Sequence, residues 1–286
     1  MKLKPVNVST RAMSGAWRCR RTRWGLFKNP WHVLALSAPL LILVLAPLVA
    51  LLLRGASPAR ILAAAGSSHI HQVVSFSLWT SGASLLVAIL CGTPLAYVLA
   101  RHEFRFKRVI EVLFDLPMVL PPAVAGLALL LAFGRQGILA PLLEPFQLRL
   151  AFSSAAVVIA QTFVSAPFYI RAARAGFESV NPRLEQVAAT MGAAPFVIFT
   201  RITVPIAFPG LVAGAVMAWA RALGEFGATL MFAGNFTGRQ TMPLAIYGAL
   251  ESDLNVGTTL SLMLLAVSCA VTSSLSMARS NRFPAS

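Results

Sequence analysis

Charged side chains are scarce in this chain. Asp, Glu, Lys and Arg together form 12% of its 286 residues, against about 25% in an ordinary soluble domain. That shortage excludes a water-facing globule. Acidic residues are scarcer still, nine against 24 Lys and Arg, which leaves a net charge of +15. Cysteine is nearly absent. Cys19, Cys91 and Cys269 lie far apart, without metal-ligand spacing or a pairing pattern, and the last two fall in apolar runs where a free thiol acts as a small hydrophobe. No Walker A glycine loop occurs, so the chain is not expected to hydrolyse nucleotide, and no Ser/His/Asp set accompanies a nucleophile elbow. Of the four histidines only His69 and His71 are close in sequence, and two His alone make a poor metal site. No catalytic residue, metal site or bound cofactor is expected.

Apolar sequence is what the chain has in excess, at 57%. A hydrocarbon core of ~30 Å needs about 20 such residues in a row. Six runs meet or approach that length: 33–53, 73–100, 116–133, 152–170, 206–232 and 256–277. The first is too long, and its basic flank too extended, for a cleaved secretory signal. The chain therefore reads as an all-α integral membrane protein with about six spanning helices. Its basic residues alternate by loop. Eighteen of the 24 fall in the N-terminal segment, the 101–110 loop, the segment between the fourth and fifth runs, and the C-terminal tail. Loops retained in the cytoplasm carry that excess, so both termini are expected there, in a cell inner membrane. The positive charge then reflects topology and not nucleic-acid binding.

Small residues recur at helical spacing as Ser77, Ser81, Ser84, Ala88 and Gly92, and again as Gly210, Gly214 and Ala218. Such stripes let helix backbones approach closely in lipid. Pro117, Pro121 and Pro122 crowd the start of the third run, where unpaired carbonyls are tolerated only against protein or a water-filled cavity.

Three regions follow: a basic cytoplasmic segment 1–32, a membrane domain 33–277 with an internal cytoplasmic segment at about 178–205, and a tail 278–286. The internal segment is neither spanning nor flexible in composition. Asn181-Pro182 is a helix start and Gly192 a natural stop. Glu185, Ala188, Ala189 and Gly192 share one face of that helix, nearly bare of side chains and open to close approach by another protein. A second short helix is expected to start at Pro195 and stop before Pro205, presenting Phe196 and Phe199.

Gln186-Val187-Ala188, Gly192, Ile202 and Val204-Pro205 resemble the EAA-x3-G-x9-I-x-L-P loop of ABC importer permeases. Gln186, Val187 and Val204 depart from that pattern, and Glu185 stands one residue upstream of the expected carboxylate. The resemblance implies a type I ABC importer permease fold. It also implies that Glu185, Gln186, Ala188, Ala189, Gly192, Ile202 and Pro205 couple the chain to a cytoplasmic ATPase subunit, which binds the ATP and Mg. Residues 220–228 resemble a signature shared by molybdate and sulfate permeases. Residues 229–235, Gly238-Arg239, 243–247, 116–122 and 133–137 are similar to molybdate permeases in particular. From this follow an extracytoplasmic molybdate-binding protein and a second permease copy as partners within the lipid bilayer, with sulfate, thiosulfate or tungstate as alternative cargo.

Arg221 and Glu225 are the only charges inside the fifth run, and intramembrane charges are costly. Four residues apart, they can pair with each other; a gate and direct contact with the anion are the other readings. With Gly224, Phe226, Gly227 and Thr229 they form the candidate pathway element. A secondary anion transporter is the rival class, and Asp115 is its one hint of an acidic relay.

Overall fold

The computed structural model describes residues 30–55, 57, 66–236, 238–252 and 254–282, and among these every regular element is helical. Most of the basic N-terminal segment, Arg60 and the last four residues of the tail lie outside the described residues. The chain divides into two units after Ala50. In the first lies most of α1 (Pro30–Gly55), where leucines between Leu36 and Leu53, such as Leu36, Leu43 and Leu53, are exposed. An exposed apolar surface of this kind suits lipid and not water.

The second unit is built on α2 (Ser68–Arg101), α6 (Ser154–Glu178) and α9 (Val204–Leu223). Between the first two run α3 (Lys107–Val119), α4 (Pro122–Phe133), a one-turn α5 (Ala140–Leu143) and a 3-10 turn at Glu144–Phe146. After α6 come α7 (Pro182–Thr190) and α8 (Pro195–Ile198); after α9 come α10 (Gly227–Ala233), α11 (Met242–Ser252) and α12 (Leu254–Arg282). Among the described residues four helices are long and apolar enough to cross a membrane, α1, α2, α6 and the continuous Pro195–Leu223 rod, or five if α3 and α4 form one bent span. The sixth expected run falls in α12, whose apolar part is Leu254–Ala270.

Three expectations are corrected. The third run is not a straight span: α3 and α4 meet at 119° across Leu120-Pro121, because Pro121 and Pro122 cannot donate to the preceding turn. The fifth run does not reach Phe232 as one helix; it ends at Leu223, and Gly224 separates it from α10. The helix begun at Pro195 does not stop before Pro205. It passes through a π turn, Phe199–Thr203, directly into α9. Pro205 sits in the first turn of α9, where the local widening of the π turn relieves the ring's demand for space.

The predicted small-residue stripes are the helix interfaces. α6 lies between α2 and α9, with Ala88, Ala96, Tyr169, Ala173, Phe177, Ala207 and Ala218 buried at the seam. A methyl group added at Gly210 would fall 2.6 Å from the Gly176 Cα, and one at Gly214 would meet Ala172 and the Tyr169 carbonyl near 3 Å. Small hydroxyls add bonds between α2 and its neighbours α6, α9 and α11. The Trp219 indole donates to Ser81 at 2.9 Å, Thr162 donates to Ser84 at 3.1 Å, and the Met242 amide donates to Ser77 at 2.6 Å. In lipid, close packing and such bonds hold helices together because the hydrophobic effect does not.

This packing predicts that Gly210→Leu, which drives a side chain into the backbone of α6, destabilises the detergent-solubilised protein by about 1–3 kcal/mol. Gly82→Ala, with nothing within 4 Å of the added methyl, is expected to unfold at or above the wild-type temperature. Thermal unfolding followed by circular dichroism reads both, and an unshifted Gly210→Leu transition contradicts the packing.

Candidate functional site

The segment from Asn181 to Pro205 forms as its sequence requires. The Asn181 side chain accepts the Arg183 amide at 3.0 Å and so caps α7. The helix closes at Gly192, which has φ of +83°, a conformation that favours glycine. Met191 and Gly192 donate their amides back to Val187 and Ala189 to complete the end.

Glu185 is the structural centre of this segment. Its Oε1 accepts from Arg101 Nη2 at 3.1 Å and from Thr203 Oγ1 at 2.6 Å. Arg101 also donates to the Val180 carbonyl at 3.0 Å. One carboxylate thus ties α7 to the last residue of α2 and to the π turn that opens into α9. Both charged side chains are largely covered, at 11% and 16% exposure, so the pair is less screened than a surface ion pair. Beneath it Tyr97 meets Phe177 and Phe199 edge-on, with ring centroids 5.5 and 5.0 Å away.

The face shared by Glu185 and Ala188 therefore turns towards the bundle, and both residues are half-buried. Ala189, Gly192 and Gln186 are exposed, as is Pro205, while Ile202 is half-buried. The outward surface is not bare. Leu184, Val187 and Met191 fall at i, i+3 and i+7 and are 47%, 57% and 83% exposed; Phe196, at 75%, follows on α8. Phe199, expected to be presented with Phe196, instead packs inward against Phe177.

The second group lies at the break between α9 and α10. Arg221 Nη1 stands 2.6 Å from Glu225 Oε2, and Glu225 is only 1% exposed. The other carboxylate oxygen accepts the Ala228 amide at 2.9 Å. Of the three readings open in the sequence, self-pairing describes this geometry. Arg221 and Glu225 span the gap opened by Gly224, whose own amide still reaches the Ala220 carbonyl at 3.2 Å. The Phe226 ring lies 5.2 Å from that of Tyr247 on α11. Gly227 is pressed against Pro122, and Gly126 against Ala228 and Met231, closer than a methyl would allow. The α3–α4 bend and the α9–α10 break consequently abut. Thr229 is fully buried, and its hydroxyl has no partner among the described residues.

Sequence reasoning missed Arg101 and Thr203 as partners of Glu185. Arg101 lies 84 residues from Glu185, and nothing local distinguishes it from the other basic residues of its loop. The hint of a relay at Asp115 resolves into an ion pair with Arg171 at 3.3 Å, with both side chains well exposed. Neighbouring Glu111 pairs with Arg174 at 2.7 Å.

Residues 92–283 match the model of the family described as binding-protein-dependent transport system inner membrane component. The chain is 43% identical over 232 residues to the molybdenum transport system permease protein ModB of Mycobacterium bovis, covering 81% of this chain and 88% of that one. It is 36% identical over 206 residues to the ModB permease of Escherichia coli, covering 71% and 90%. Its fold is similar to that of a chain in a bacterial ABC transporter importing the acidic polysaccharide alginate, with a TM-score of 0.70, 17% identity, and coverage of 92% and 99%. A chain of the inward-facing MetNI methionine ABC transporter aligns with a TM-score of 0.55, 17% identity, and coverage of 82% and 96%. A match over this share of the sequence, with relatives above a third identical, places the polypeptide in its family: it belongs to the binding-protein-dependent transport system inner membrane components.

Proposed function

We propose that this chain is the membrane-spanning permease subunit of an ABC importer that carries molybdate across the inner membrane. The observation that carries the substrate is the 43% identity, over 81% of the chain, to a molybdenum permease. The geometry supports the transport mechanism independently of that name. A cytoplasmic ATPase subunit docks on the exposed apolar surface of α7 and α8, at Leu184, Val187, Met191 and Phe196. A cluster of large apolar side chains left exposed outside the spanning helices marks a protein interface. Gln186, Ala189, Gly192 and Pro205 border it, while Glu185, Ala188 and Ile202 hold the segment to the bundle.

Energy then reaches the pathway mechanically. The permease itself holds no nucleotide; ATP and Mg belong to the ATPase. When the ATPase pair closes, α7 is pulled, and Glu185 passes that displacement to α2 through Arg101 and to the α9 rod through Thr203. A partner shifts a two-state equilibrium only by binding the two states differently, and a rigid link makes the states differ. The break at Gly224–Gly227, seated against the α3–α4 bend, is where α9 changes course. Interrupted helices at membrane depth are the sites at which transport pathways are built. The Arg221–Glu225 pair keeps this break closed as a gate element without leaving a free charge to trap the cargo.

Both termini lie in the cytoplasm by the distribution of Lys and Arg. An extracytoplasmic binding protein delivers the anion to the opposite face. Two coupling segments are needed to engage an ATPase pair, and a second copy of this chain supplies the other. The exposure of the Asp115–Arg171 pair disfavours a buried acidic relay of the kind a secondary transporter uses.

Three measurements test this reading. Proteoliposomes holding the permease, its ATPase and the binding protein are expected to accumulate labelled molybdate against a hundredfold excess of sulfate; preferential sulfate uptake rejects molybdate as cargo. Met191→Asp, at a site too exposed to disturb folding, is expected to abolish co-purification with the ATPase. Glu185→Ala, which removes the bonds from both Arg101 and Thr203, is expected to keep the complex yet lower uptake per ATP hydrolysed by at least about tenfold, since each bond to a charged group is worth roughly 1.5 kcal/mol or more. Intact binding by Met191→Asp, or unchanged coupling in Glu185→Ala, refutes the assigned roles.

A further inference from the structure

The arginine within the fifth run is neutralised by Glu225, but three arginines of the opposite loops are not. Arg135 follows α4, Arg149 precedes α6, and Arg239 lies between α10 and α11. All three are exposed and none has an ion pair among the described residues. They nevertheless converge. A cavity of about 700 Å³ is lined by all three, together with Glu144, Gln147 and the strand of chain from Leu148 to Ser153. Three guanidinium groups face one carboxylate, so the cavity carries a net positive charge of two.

The cavity wall is built, not merely left over between loops. Gln147 and Phe152, with φ of 53° and 59°, are the two non-glycine residues of positive φ in the described chain, and both line it. Backbone strain persists only where surrounding contacts enforce it, and it gathers at binding sites. The enforcing contacts are present. The Phe152 amide donates to the Phe232 carbonyl at 3.1 Å, and its ring meets Phe236 edge-on at 6.3 Å. These contacts fasten the Arg149 side of the wall to the loop that carries Arg239. Ser153 caps α6 by accepting the Ala156 amide at 3.2 Å, so the positive end of a 25-residue helix also borders the cavity.

We infer that this pocket is a shallow receiving site for a divalent tetrahedral oxyanion at the outer face of the permease. The inference rests on the importer reading for which face is outer and which anion is carried. Guanidinium forks match tetrahedral oxyanions through paired N–H donors. Exposed arginines in water hold such an anion weakly, and that suits an intermediate stop: an anion leaving a high-affinity binding protein must be attracted and then released. Electrostatic focusing of this kind raises local anion concentration and fades with salt.

The test uses the full permease–ATPase complex in nanodiscs and proteoliposomes, comparing wild type with R135Q/R149Q/R239Q and with R54Q, an exposed arginine outside the pocket. Without binding protein, wild type and R54Q are expected to bind labelled molybdate weakly, with affinity falling as NaCl rises, and sulfate to compete. The triple variant is expected to bind about tenfold more weakly and to take up molybdate more slowly, while still docking the binding protein. The single variants, each at an exposed side chain, are expected to show graded losses and serve if the triple does not insert. Equal molybdate binding by wild type and the triple variant overturns the site. So does loss of binding-protein docking with molybdate binding unchanged, which assigns the arginines to a protein contact. Wild-type vesicles that move no oxyanion with ATP instead overturn the importer reading; wild-type uptake matched by every variant overturns only the pocket.

Discussion

The carboxylate of Glu185 is the point at which three parts of the molecule become one. Arg101 ends α2, Thr203 lies in the π turn that begins the α9 rod, and Glu185 belongs to the short helix α7. α7 has nine residues, and an isolated helix of that length is marginal in water. It is held by its Asn181 cap, its Gly192 stop and this charge-assisted link. Without the link, force applied to the exposed side of α7 would tilt the helix on its loops and go no further. With it, the same force acts on the ends of two long helices.

Why those ends can carry motion follows from how the bundle is packed. Alanine, serine and glycine bring α2, α6 and α9 together at their closest points, around Tyr169 and Phe177, and Gly210 lies against the backbone of Gly176. Where backbones approach this closely, little side-chain volume is left to absorb a displacement of one helix against the next. The compliant places lie elsewhere. They are the 119° bend between α3 and α4 and the break after Leu223, which press against one another through Gly227 and Pro122. In the proposed importer cycle, closure at the α7 end of α9 is passed along the rod to this paired interruption. The pocket of Arg135, Arg149 and Arg239 is fastened to that far end through Phe152, Phe232 and Phe236.

Much of this was legible in the sequence. The spanning helices announce themselves by apolar length, the close interfaces by their small-residue stripes, and α7 by Asn181, Pro182 and Gly192. What was not legible depended on contacts distant in sequence. The spacing of Glu185, Ala188 and Ala189 shows that they share a face, but not which way that face turns. Arg101, far upstream, decides it by drawing Glu185 inward and leaving Leu184, Val187 and Met191 outside. The run from Pro195 to Pro205 looked like a closed unit because two prolines bracket it. A π turn removes the clash that would have ended the helix. Arg135, Arg149 and Arg239 read as topology markers because their convergence exists only after folding.

The central claim is that this permease moves its anion only when a nucleotide-driven partner pulls on α7. The most direct measurement is uptake of labelled molybdate into proteoliposomes supplied either with ATP and the ATPase subunit or with a proton or sodium gradient alone. Accumulation that requires the ATPase and stops with a non-hydrolysable nucleotide is the result predicted. Accumulation by the purified chain alone, driven by an ion gradient, would contradict it.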